Sequence, residues 1–183
     1  MDAWLLGVFK RQLARQCRFA LLAYDDLDRT VSEMDARRCE ISVGMTRIWY
    51  SIQGIVVAAG NISKILWPTQ PRIPERGREL RESLLVAEDS PLKARDFRNH
   101  FEHFDERLED FFLEVPQDNR SYIDDNVSPG GIAGLMMGTP QELVLRHYDQ
   151  QAQVLMFRGE TYPLRPLREA ISNLLTRAEE ADR

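Results

Sequence analysis

The sequence predicts a mainly α-helical fold, a bundle of four to five helices with a small antiparallel β-hairpin inserted before the C-terminal helix. Two observations carry this expectation. Apolar residues recur at steps of three and four over most of the chain, the spacing that lines one face of a helix. Near the C-terminal third the pattern changes to two short β-prone runs separated by turn residues, the signature of a hairpin. A length of 183 residues suits one domain with a core large enough to need neither disulfide nor metal. An apolar fraction of 43% beside 29% charged residues is that of an ordered globular chain rather than a disordered or fibrous one.

The first helix is read from Leu6, Phe9, Leu13, Ala20, Tyr24, Leu27, Val31 and Met34, with Gln16 the polar member of the stripe and Cys17 and Leu21 widening it. The second is read from Ile41, Met45, Ile48, Ile52, Ile55, Ala59, Ile62 and Leu66. Val43, Trp49, Tyr50, Val56 and Val57 spread apolar surface around that second helix. Such breadth suits the centre of a bundle or a subunit interface, and it predicts a homodimer. Pro68, Pro71 and Pro74 end the helix, and residues 76–90 have room for one short helix.

Ser90 followed by Pro91 reads as a helix start, with serine capping and proline in the first turn. The third principal helix then carries Phe97, Phe101, Phe104, Leu108 and Phe111 on its core side and stops before Pro116. Residues 116–164 depart from the helical texture and form a loop and hairpin insertion within a single domain of residues 1–183. Its glycine-rich stretch, 128–138, reads as a loop or cover segment and lacks the Lys-Ser/Thr ending of a phosphate loop. ELVLRHY and AQVLMF, residues 142–148 and 152–157, make the hairpin, closed by Pro163 and Pro166, with His147 as a strand residue. Leu167, Ala170, Ile171, Leu174 and Ala178 mark the last helix.

Charge and cysteine usage bound the function classes. With 24 basic and 29 acidic residues the net charge is −5, which disfavours wrapping duplex DNA by its phosphates. Cys17 and Cys39 form neither a metal motif nor a disulfide framework, and buried thiols in a reducing cytoplasm are the expectation. MDAWLLGVFKRQ is too short an apolar run for a secretory signal, and IWYSIQGIVVAAG is interrupted and shorter than the ~20 residues that cross a bilayer. No membrane association is expected.

The densest polar chemistry lies in RDFRNHFEHFDERLED, residues 95–110. At about 100° per residue, Asn99, Glu102, His103 and Glu106 face outward while the phenylalanines face the core, and Arg98 lies on one flank. His100 leans towards Phe101 and Phe104 and is read as an interfacial or partly buried residue. His100 and His103 with Glu102 and Glu106 could put two metal ligands on one helix edge, but the first two helices offer no matching Glu-x-x-His set, so neither metal nor cofactor is expected. Asn61, Ser63 and Lys64 sit at the end of the second helix, where Lys64 either contacts a phosphate or complements the helix dipole.

Arg98-Asn99-His100-Phe101-Glu102-His103 resembles the Arg-polar-x3-His motif of the HEPN superfamily, which is built on a compact bundle of four or five helices. The resemblance covers residues 1–115 and the last helix and leaves 116–164 outside it. It implies an Arg98/His103 pair at a two-fold dimer cleft, with Asn99 as the polar member and Glu102 and His100 in support. Many such proteins are metal-independent ribonucleases. In such a site imidazole can move the proton of an RNA 2′-hydroxyl, and guanidinium can stabilise the pentavalent phosphate. Asp96, Glu102, Asp105, Glu106, Glu109 and Asp110 outweigh Arg95, Arg98 and Arg107 in this segment, however, and repel an RNA backbone. Three readings therefore stay open: a cytoplasmic ribonuclease, a non-catalytic HEPN-like domain that senses a nucleotide or binds an antitoxin or other protein, and a solvated helix face whose pairs have no chemical role.

Overall fold

A computed structural model describes residues 1–94, 96–114, 122–130 and 143–180, with the side chains of Asp96, Phe97 and Arg98 outside the description. The chain is mainly helical and carries a four-stranded sheet. It divides into two compact units, one made of Met1–Asp28, Tyr50–Arg95 and Pro166–Arg183, the other of Arg29–Trp49 and Asp96–Arg165.

Helix α1 (Ala3–Asp35), which belongs to the first unit as far as Asp28, begins where Asp2 accepts the Leu5 amide on its carboxylate at 2.8 Å. Helix α2 (Ile41–Leu66) returns beside it, with Asn61 donating to Gln16 at 3.2 Å. The two stripes read from sequence supply the buried surface: Leu13, Cys17, Ala20, Tyr24 and Leu27 from α1, and Ile52, Ile55, Ile62 and Leu66 from α2. Helix α6 (Leu164–Glu180) adds Ile171, Leu174 and Ala178 to the core. It is tied to α1 at both ends, by Arg168 bonding Asp25 and Asp28 and by Arg18 bonding Glu179. Pro166 lies in its first turn, where a missing N–H costs nothing. The short helix expected after the proline cluster is α3 (Arg76–Ser83).

The third principal helix is not continuous. Ser90 does cap, accepting the Leu92 amide on its hydroxyl, but the capped element is a single 3₁₀ turn, Pro91–Lys93. Two helices follow, α4 (Asp96–Glu102) and α5 (Phe104–Glu114), interrupted at His103. The helical hydrogen bonds persist across the interruption, His103 N–H to Asn99 and Arg107 N–H to the His103 carbonyl, each at 3.0 Å. The two helices share Phe157 as an anchor but differ in what else they touch. His100 of α4 stacks on Phe157 at 4.6 Å, whereas Phe111 of α5 packs with Leu145 and Phe157, joined by Phe104 and Leu108.

The hairpin is present but belongs to a larger mixed sheet, ordered β1-β2-β3-β4. β2 (Arg146–Asp149) and β3 (Val154–Phe157) pair antiparallel, as the sequence indicates. β1 (Asn126–Ser128) adds in parallel to β2, and β4 (Glu160–Pro163) adds antiparallel to β3. Pro163 therefore ends an edge strand rather than closing a hairpin, a position where its missing donor is tolerated. Asp149, buried, holds the hairpin turn by accepting the Gln151 and Ala152 amides at 2.9 Å each. The glycine-rich stretch expected at 128–138 lies mostly outside the described residues.

Candidate functional site

The polar face of α4 and α5 is largely as the helical arithmetic places it. Asn99, Glu102, His103 and Glu106 are exposed, and His103 Nδ1 lies 3.5 Å from Glu106 Oε1. Arg98 falls on α4, one turn and a half before His103, and its side chain is outside the described residues. The nearby cations that are described already have carboxylate partners: Arg107 pairs with Asp110 at 3.3 Å, and Arg158 bonds Glu114. Lys64 belongs to the other unit, in the last turn of α2. Of its neighbours, Ser63 is buried and donates to the Lys93 carbonyl at 3.1 Å, while Asn61 is bonded to Gln16.

His100 is mostly buried and engaged. Its Nε2 lies 3.2 Å from Glu160 Oε2 and 3.1 Å from the Tyr162 hydroxyl, and that hydroxyl also donates to Glu160. The Tyr162 hydroxyl, and then His100, hold the Glu160 carboxyl below the usual carboxylate range. Glu160 and Tyr162 stand on β4, a strand that the sequence reading did not contain. The Glu-x-Tyr alternation ahead of Pro163 was the signal available for it.

A second constellation surrounds Arg146 on β2. Its guanidinium bonds both oxygens of Asp124 at 2.7 and 2.8 Å and reaches Asp125 at 2.9 Å. It lies over the Phe104 ring at 4.4 Å and the Trp49 ring at 5.2 Å. Trp49 completes the arrangement by donating Nε1–H to the Asp125 carbonyl at 2.7 Å. Burial pushes the Asp125 carboxyl up, against the pull of Arg146. These pairings can fasten β2, α2 and α5 together, with the buried Asp125 Oδ1 held by Arg146 as an ion pair and without a hydrogen bond. Among the described residues no three His, Cys, Asp or Glu side chains converge as a metal site.

A further feature of the described residues is apolar. Between α1 and α2 of the first unit runs an open groove of about 440 Å³. Phe19 and Leu22 form one wall, 52% and 63% exposed, and Tyr50 and Val57 the other, 76% and 46% exposed. The floor is small: Ala23, Gly54 and Ala58. A Cβ built on Gly54 would stand 3.3 Å from the Ala23 Cβ, so the two helices approach closely there. Tyr50 and Val57 were legible as surplus apolar residues of the second helix, but Phe19 and Leu22 lie off the stripe read for the first.

The chain matches no family model, no curated protein and no solved structure. No described helix is long and apolar enough to cross a membrane.

Proposed function

We propose that this chain is a non-catalytic protein-interaction module that works through the α1/α2 face. The supporting observation is the groove itself: four large apolar side chains stand exposed along two adjacent helices above a floor of glycine and alanine. Scattered apolar residues on a surface are ordinary, but a contiguous apolar patch with a depression in it marks a docking surface. The residues around His103 favour this reading by contrast, because carboxylates dominate there and the described cations are already paired. A photo-reactive amino acid at position 22 in the producing cells tests the proposal. A discrete adduct is expected, lost when Tyr50→Glu is added; no adduct, or one indifferent to Tyr50→Glu, overturns it.

A second reading, metal-independent RNA cleavage by Arg98 and His103, is favoured by one observation. Glu106 stands on the Nδ1 side of an exposed His103, as an orienting carboxylate stands beside a general base. With Asn99, Glu102 and His100 in support, the resemblance to HEPN ribonucleases assigns His103 to proton transfer and Arg98 to phosphate stabilisation. If this reading holds, Arg98→Ala and His103→Ala each lower cleavage of a mixed single-stranded RNA pool by about 10²-fold or more, with cyclic phosphate ends on the products and no loss on chelation. Folded wild-type protein that leaves the pool intact rejects it.

A further inference from the structure

We infer that the occupant of the α1/α2 groove is a second copy of this chain, docked about a two-fold axis with its helices antiparallel to those of the first. This rests on the docking reading above and adds the identity of the partner. Three observations argue for it.

The face is self-complementary. It carries ridges, Phe19 and Leu22 on α1 and Tyr50 and Val57 on α2, and between them a depression floored by Ala23, Gly54 and Ala58. Ridges of one copy can therefore enter the depression of the other, and a two-fold axis satisfies both copies at once. The product is a four-helix arrangement of two antiparallel pairs, a packing that helices of this length favour.

The area is of the right order. At the exposures given above, the four side chains present roughly 500 Å², against about 800 Å² that each partner contributes to a stable interface. The floor and the flanking helix surface can supply the rest.

Charge selects the orientation. Among the described residues lining the groove only Asp26 is charged, and it lies at the Tyr50 end, opposite the Gln16–Asn61 hydrogen bond. A two-fold axis that runs the helices of the copies parallel would bring the two Asp26 carboxylates to the same end. The antiparallel arrangement sets them about 15 Å apart, the length of ten helical residues, each near the amide-bearing end of its partner.

Light scattering of the purified full chain over a concentration series, with circular dichroism on each variant, supplies the test. The wild type is expected to approach twice its monomer mass. Leu22→Glu and Tyr50→Glu, both at exposed helical positions, should weaken association at least about tenfold with helicity unchanged. In a Cys39→Ser background, oxidation should link copies through Val57→Cys, near the middle of the face, and not through Asp26→Cys, at its end. A chain that stays monomeric to high micromolar concentration overturns the proposal, as does a dimer indifferent to both glutamates. Linkage through Asp26→Cys with none through Val57→Cys overturns the antiparallel orientation. Should the purified chain be monomeric while the adduct at position 22 in cells has a foreign mass, the second-copy proposal fails and the docking reading stands. If the adduct is also missing, both fail.

Discussion

Arg146 shows how much one residue can hold. Its guanidinium is mostly buried, paired with Asp124 and Asp125 and covered by the Trp49 and Phe104 rings. Removing it leaves two partly buried carboxylates without their cation, a change that costs more than the pair itself contributes. Arg146→Ala is expected to destabilise the fold by about 2–4 kcal/mol in urea titrations. Lysine in its place should recover only part of this, since it lacks the planar fork.

His147 makes a pH prediction. It is buried on β2, and its Nδ1 accepts from the Asn126 side-chain amide at 2.8 Å, so the proton of the neutral ring sits on Nε2. Burial, opposed by Asp149, holds the imidazole below its ordinary value of 6.5. The unfolded chain therefore binds a proton that the folded chain refuses in the window from about 6.5 down to the folded value, and stability falls as pH falls through that window. His147→Gln, which keeps an acceptor for Asn126, should lose less stability than the wild type between about pH 7.5 and about pH 5. An equal loss in both proteins rejects the assignment. Thiol chemistry is separable in the same way. Burial pushes the Cys17 thiol up to about 12, while Cys39 is only half-buried. A thiol reagent should label Cys39 in the native protein and reach Cys17 only after denaturation.

At the scale of elements, Gly77 sets helix propensity against packing. It lies inside α3, where alanine would ordinarily stabilise by about 1 kcal/mol. A Cβ there would stand 2.7 Å from both the Leu66 carbonyl oxygen and Pro68 Cδ. Neither neighbour is the end of a flexible side chain, so packing decides the sign. Gly77→Ala should lower stability by about 1–3 kcal/mol, measured by thermal or urea unfolding. The segment from Ser90 to Glu114 shows the same contest between local and distant terms. Its aromatic spacing reads as one helix, and locally nothing forbids one. The structure interrupts it at His103, with His100 fastened to Phe157, Glu160 and Tyr162, and Phe104 fastened to Arg146. Those partners lie 42 to 62 residues away in the chain, beyond the reach of any periodicity argument.

For the whole molecule, charge governs what can approach. A net charge of −5, with carboxylates along the exposed face of α4 and α5, predicts no retention of duplex DNA at physiological salt. A gel shift with random-sequence duplex checks it, and retention that weakens steeply with salt would show a basic surface that the composition hides.

Amphipathic periodicity by itself determined the long helices α1, α2 and α6, the core residues Leu13, Ile52, Ile55 and Ile171, and the β2–β3 hairpin, because each is a local pattern of 3.6 or 2 residues. It also put Asn99, Glu102, His103 and Glu106 on an exposed face, since that needs only the helical turn. It misplaced Ile41, the first member of the α2 stripe, which is 74% exposed, because a stripe records which side of a helix is apolar and not whether a neighbour covers it. Tertiary structure alone decided the addition of β1 and β4 to the sheet, the engagement of His100 by Glu160 and Tyr162, and the enclosure of Arg146. It also decided that Phe19, Leu22, Tyr50 and Val57 share one open groove. Each of these depends on a pairing between residues far apart in sequence, and such pairings are set by the geometry of packing rather than by any local preference.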